Sequence, residues 1–104
     1  MTKIADTPVA PYYVVVFSSI LKDEDDQSYF AMAKHMEILA EEQEGFLGIE
    51  SARSEIGITV SYWKDEASII AWKNNAEHIA AQKLGKDLWY KSYKLRIGKI
   101  ERAY

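Results

Sequence analysis

Four short runs rich in aromatic and β-branched residues alternate with helical spacings in the order βαββαβ. No other feature of the 104 residues limits the architecture so tightly. The first run, Tyr12 to Phe17, follows Pro11 and reads as a central strand buried on both faces. Asp23 to Asp26 then offer helix caps, and Tyr29, Met32, Ala33, Met36, Leu39 and Ala40 recur at helical spacing up to a stop at Gly45. Phe46 to Arg53 and Ile58 to Trp63 form a hairpin across Ser54-Glu55-Ile56-Gly57, in which Gly57 is expected to take a positive φ. Asp65 caps a second helix bearing Ile69, Ile70 and Trp72. The spacing of Asn74 and Glu77 predicts a restart into a third helical stretch that ends near Gly85. The last run, Tyr93 to Ile97, alternates apolar and charged residues until Gly98, where a bulge is expected.

This order is the split βαβ, ferredoxin-like α+β fold: an antiparallel sheet with helices on one face. The division expected is an N-terminal arm, residues 1–11, and one domain, residues 12–104, since the length has room for a single core. The other sheet face then needs cover. Apolar residues on both sides of several strands predict a homodimer whose sheets meet in an α/β barrel, with the last strand reaching across to the partner.

Composition removes several function classes. With no cysteine there is no disulfide, thiolate site or thiol nucleophile, and two histidines, His35 and His78, are a thin basis for a metal site, so none is expected. A net charge of −3 argues against nucleic acid as a partner, although acids gather on the first helix and bases in the C-terminal fifth. No apolar run approaches the ~20 residues of a membrane span and the start lacks a signal-peptide core, so the expected location is the cytoplasm.

Tyr62-Trp63-Lys64-Asp65-Glu66-Ala67, then Trp72, then Asn75-Ala76-Glu77-His78, with Gly45-Phe46-Leu47-Gly48 opening the second strand, resembles the antibiotic biosynthesis monooxygenase family over about residues 12 to 104. The resemblance implies a dimeric α/β barrel with an apolar cavity between sheet and helices. Some relatives there oxygenate polycyclic phenols without metal or flavin. Such a site must bind an aromatic molecule, take a proton from it and stabilise the oxyanion while the ring reacts with oxygen. The implied function is a cofactor-independent monooxygenase of a small aromatic or quinol-like compound. The alternative is a non-catalytic dimer that binds a small apolar molecule or serves a stress-related role.

Each candidate residue has a structural reading beside its functional one. Trp63 and Trp72, with Trp89, either line an aromatic pocket or form the core and dimer interface. His78 is the candidate general base or else holds a neighbouring loop, whereas His35 reads as a surface residue. Arg96 lies with Lys94 on one side of the last strand, opposite Tyr93, Leu95 and Ile97, and either binds an oxyanion or makes an exposed ion pair. In haem-degrading relatives a helix Trp is followed about three turns later by the histidine that ligates iron. Counted from Trp72, that place is Gln82, and the first-strand Asn of those relatives is missing as well. The chain departs from the haem-degrading pattern, so a haem-binding or haem-degrading relative, with His78 as the alternative ligand, is the less favoured alternative and no cofactor is expected.

Overall fold

The structure is a computed structural model that describes residues 3–82 and 89–104, with side chains in the second helix described to residue 77. Four strands and two helices follow one another as β1 (Tyr12–Leu21), α1 (Gln27–Glu41), β2 (Phe46–Arg53), β3 (Gly57–Trp63), α2 (Glu66–Gln82) and β4 (Tyr90–Ile100). The sheet is antiparallel throughout, in the order β2-β3-β1-β4. This is the ferredoxin-like arrangement that the sequence predicts.

Helix α1 starts where an aspartate can satisfy its free amides. Asp26 accepts hydrogen bonds from the backbone N–H groups of Ser28 and Tyr29, and the Ser28 hydroxyl above all, with these amides after it, holds its carboxyl below the ordinary aspartate range. Asp65 does the same for α2, accepting from Ser68 N–H at 2.8 Å. The restart predicted at Asn74 does not occur. α2 runs unbroken through Asn74 and Glu77, and Lys73 pairs with Glu77 one turn on at 3.0 Å. Within an established helix, Asn costs only a fraction of a kcal/mol, which the continuing backbone bonds outweigh.

Two glycine expectations are corrected. Gly57 lies inside β3 opposite Ser19 and Arg53 and does not take a positive φ; among the described glycines that conformation belongs to Gly45, at φ 87°. Gly98 pairs in regular register with Val14, and the irregularity of the β1–β4 ladder sits at Ile20/Leu21 instead.

Register sorts the side chains into two layers. One sheet face carries Val15, Phe17, Ser19, Arg53, Ser61, Trp63 and Leu95, and the helices cover it. Val15 and Trp63 pack with Ala40 and Ile69 in one cluster, while Leu21, Tyr29, Met32 and Trp89 form a second. The opposite face carries Val14, Val16, Val60 and Ile58. These stay partly or largely exposed, so the central strand is covered fully on one side only.

The N-terminal arm crosses that second face. Ala5 N–H donates to Glu50 Oε2 at 3.0 Å, the Thr7 hydroxyl donates to the Tyr12 hydroxyl at 2.8 Å, and Gly48 leaves room for Ala5. Tyr62 donates to the other Glu50 oxygen at 2.6 Å. The Tyr62 bond first, and the Ala5 bond after it, hold the Glu50 carboxyl below its ordinary value, while burial and then Glu50 push the Tyr62 hydroxyl up to about 12. The Glu50 contribution is therefore present above the ordinary glutamate range and lost as pH falls through the lowered value. The Tyr62 contribution is complete below 10.0 and lost as pH rises towards about 12. In NMR the Ala5 amide is expected to titrate with Glu50, at a midpoint below that of a free glutamate, and Glu50→Gln is expected to abolish the titration. An Ala5 signal indifferent to acid means that the arm is not anchored there.

Candidate active site

Under the helices, the described side chains form two aromatic groups at opposite ends of the sheet. At the C-terminal end of β3, Trp63 is 0 % exposed, donates Nε1–H to the Ser61 hydroxyl at 2.9 Å, and stacks on Trp72 of α2 with ring centroids 6.2 Å apart and planes 22° apart. Phe46 meets Trp63 edge-on at 5.5 Å. Trp72 is half-buried, whereas Trp63 is enclosed.

The second group surrounds Arg53, the last residue of β2. Its Nη2 donates to the Ser19 hydroxyl at 2.6 Å and to the Tyr29 hydroxyl at 3.3 Å, its Nη1 donates to the Ser19 carbonyl at 3.4 Å, and the guanidinium lies 5.4 Å from the centre of the Tyr29 ring. Tyr29 and Tyr90 share a further hydrogen bond. Burial, reinforced by Tyr29, pushes the Tyr90 hydroxyl well above its ordinary value, so Tyr90 stays a neutral phenol at any physiological pH. Phe17, Tyr90 and Tyr93 close the aromatic wall, with centroids 5.4 to 5.9 Å apart.

Gly57 makes room for this arrangement, because a Cβ there would overlap the Arg53 guanidinium. Gly57→Ala is expected to displace Arg53 and strand the hydroxyl of Ser19, which is 1 % exposed, at a cost of about 1–3 kcal/mol in urea unfolding. Strand propensity alone favours alanine over glycine, so a stabilised variant would show that the Arg53 contacts contribute nothing.

The residues singled out from sequence divide accordingly. Trp63 and Trp72 are in contact, whereas Trp89 belongs to the other group, buried at 5 % with Nε1–H donating to Ser28 Oγ at 3.2 Å. Arg96 faces the helix-free side of the sheet, exposed, in register with Val16, and His35 is exposed on α1. His78 and Gln82 belong to α2, and their side chains lie outside the described residues. A groove of about 550 Å³ also lies on the helix-free side, between Lys3 and Ile4 of the arm and Glu50, Ile58 and Val60.

Sequence reading missed Arg53, Ser19, Tyr29 and Tyr90 as a unit. The signal for Arg53 was in the alternation of β2, where Ile49, Ser51 and Arg53 share the inward face and a glycine stands opposite the arginine.

Comparison with known proteins places this geometry. The sequence profile of the family described as antibiotic biosynthesis monooxygenase matches residues 11–84. The chain belongs to this family. The uncharacterised protein YqjZ of Bacillus subtilis is 45% identical over 104 residues, covering 98% of this chain and 90% of its own. The jasmonate monooxygenase of Pyricularia oryzae is 30% identical over 85% of this chain, and the match spans 43% of that longer protein. Among solved structures, SnoaB from Streptomyces nogalater, a cofactor-independent oxygenase, superposes with a TM-score of 0.73 at 8% identity, covering 90% of this chain and 97% of its own. A Shewanella oneidensis protein gives 0.71 at 14% identity, over 94% of this chain and all of its own. At such identities these two likenesses show a common fold. Among the described residues, no helix is long and apolar enough to cross a membrane and no group of three or more metal-binding side chains occurs.

Proposed function

We propose that this member of the antibiotic biosynthesis monooxygenase family is a cofactor-independent monooxygenase of a small aromatic or quinol-like compound, working as a homodimer in the cytoplasm. The observation that carries the reading is the helix-covered sheet face, where a half-buried Trp72 stacks on a buried Trp63 and neutral hydroxyls are set among aromatic rings. The 30%-identical jasmonate monooxygenase supports the monooxygenase class. The fold shared with SnoaB supports chemistry without a cofactor.

Trp72 is the ring that stacks on the substrate, and Trp63, fully enclosed, fixes its tilt. His78 is the base that removes the phenolic proton. The resulting electron-rich ring is the reductant: one aromatic C–H of a phenol and O2 give a quinone carbonyl and water, the four electrons leaving the substrate being those that oxygen gains. Little is required of the protein beyond orientation, proton removal and exclusion of water. The partly exposed apolar face around Val14, Val16 and Ile58 is the surface that meets the second copy.

Oxygen uptake with a panel of naphthols, anthrones and hydroquinones tests the reading. At least one compound is expected to consume O2 faster than its own autoxidation, to carry 18O from 18O2 into the product, and to lose that excess in a folded His78→Ala variant. If no compound exceeds autoxidation, the alternative takes its place: a non-catalytic dimer that holds a small ligand.

A further inference from the structure

The register of the sheet sets four side chains of the helix-free face in one row. Glu50 of β2 stands opposite Val60 of β3, Val60 opposite Val16 of β1, and Val16 opposite Arg96 of β4. The row crosses each strand near its middle, with an acid at one edge of the sheet, two valines at the centre and a base at the other edge. Glu50 and Arg96 do not pair within one chain, where three strand spacings of ~4.8 Å separate their backbones by roughly 14 Å. Arg96 is exposed. Glu50 is half-buried and meets two neutral donors, Ala5 N–H and the Tyr62 hydroxyl, out of the roughly four hydrogen bonds that a carboxylate accepts. The ion pairs among the described residues are Lys64 with Glu44 and Lys73 with Glu77, and neither draws on Glu50, on Arg96 or on Lys3, which lines the groove beside Glu50.

A row of this kind is complementary to itself. Two sheets packed face to face lie about 10 Å apart, a gap that an arginine and a glutamate reaching towards each other can span. A two-fold axis running along the strands, between Val16 and Val60, turns one sheet over onto the other and keeps the row in place. Arg96 then stands over the partner's Glu50 and Val16 over the partner's Val60, and each contact occurs twice, as an isologous interface requires. The groove of about 550 Å³ bounded by Glu50, Ile58 and Val60 is where the arginine enters. The neighbouring row agrees. It reads Gly48, Tyr62, Val14, Gly98, so the same axis lays Gly98 over the partner's Gly48, against which Ala5 of the partner's arm is seated. Gly98 has no positive φ, and a Cβ there would make only an ordinary 3.6 Å contact with Val14, so its own chain does not require a glycine at that place. Facing the partner's arm, it supplies the room that the arm needs. We infer that this sheet face binds a second copy of the chain through a reciprocal pair of Arg96 with the partner's Glu50, with the arm of each copy enclosed between the two sheets.

The inference rests on the proposed homodimer and deepens it by naming the contact that sets its geometry. Sedimentation velocity on the full chain at neutral pH measures the association of the wild type, of Arg96→Glu, of Glu50→Lys and of an equimolar mixture of the two variants. The wild type is expected to be a dimer. Each variant alone is expected to associate about a hundredfold or more weakly, because every dimer it forms holds two like-charged pairs at its centre. In the mixture both contacts again join opposite charges, so a one-to-one heterodimer is expected at close to the wild-type affinity. Damage to either fold cannot produce such a rescue. Circular dichroism confirms that each variant is folded. If Glu50→Lys, which also loses the Ala5 anchor, is not folded, Glu50→Gln takes its place, and its mixture with Arg96→Glu is still expected to associate more tightly than either variant alone. Wild-type affinity in both variants, or a mixture no tighter than its components, overturns the pair and leaves the homodimer standing. A wild type that stays monomeric at all concentrations measured removes the homodimer, and the pair with it.

Discussion

Trp63→Ala is expected to lower the thermal midpoint by roughly 15 °C or more, the largest effect of any single truncation in the chain. Trp63 is 0 % exposed and joins three elements: it lies against Val15 of β1 and Ile69 of α2, it meets Phe46 edge-on, and its indole stacks on Trp72. Removing a buried indole costs about 3–5 kcal/mol in lost transfer energy and residual cavity. In a domain of this size each kcal/mol shifts the midpoint by about 4–8 °C. The loss takes a large part of a total stability that is itself about 5–15 kcal/mol, so the variant is marginal at physiological temperature. Trp63→Phe refills most of the space but strands the buried Ser61 hydroxyl, which accepts the indole N–H at 2.9 Å, so a smaller loss of about 1–3 kcal/mol is expected. Thermal unfolding followed by circular dichroism measures both. A loss below about 1 kcal/mol for the alanine variant would mean that α2 does not depend on this ring for its seat, and the Trp72 orientation proposed for substrate stacking would lose its support.

The chain announces its architecture because periodicity is a local property. Alternation in Phe46 to Arg53 and helical spacing from Tyr29 to Ala40 are written within single elements, and the structure has β2 at Phe46–Arg53 and α1 at Gln27–Glu41. Errors arise where a tertiary partner overrides a local preference. Ser18 and Ser19 look like the end of a strand, yet β1 pairs with β4 as far as Leu21, and Arg53, 34 residues away, satisfies the Ser19 hydroxyl within the sheet. Gly57 looks like a turn residue, yet its lack of a side chain serves the same arginine rather than the backbone. Both misreadings share one cause, a long-range contact that no window of sequence contains.

The site is legible to a lesser degree for a related reason. Tryptophans stand out by their size, so Trp63 and Trp72 are easily singled out. What separates them from Trp89 is their placement in space: Trp63 and Gly57 are six residues apart on one strand, so the Trp63–Trp72 stack and the aromatic group around Arg53 are divided by roughly 20 Å at ~3.4 Å per residue. Arg96 is more conspicuous in sequence than Arg53, because it sits in a plainly alternating strand. Register with Val16 nevertheless puts it on the helix-free face.

Gly45→Ala is the second large effect expected, and its origin is backbone rather than core. Gly45 turns the chain from α1 into β2 at φ 87°, a conformation that costs an L-residue about 1–2 kcal/mol, and its carbonyl accepts from Lys64 N–H at 2.9 Å, which ties this turn to the end of β3. A Cβ here would also overlap the Ser68 hydroxyl and come within 2.7 Å of Ser68 Cβ, and Ser68 belongs to the first turn of α2, capped by Asp65. Relief requires the start of α2 to move, and overpacking of this kind costs a further 1–3 kcal/mol or so. The total expected is about 2–5 kcal/mol in denaturant unfolding. The two contributions are separable in a double-mutant cycle, because Ser68→Gly removes the overlap and leaves the left-handed backbone untouched. The double variant is therefore expected to recover only the steric part. Full recovery would show that the turn tolerates alanine and that the glycine is there for Ser68 alone. No recovery would leave α2 unaffected by residue 45 and place the whole cost in the turn. Because α2 carries both Trp72 and His78, the first two outcomes also predict weaker ligand binding in the single variant than in the double one, while the third predicts equal binding.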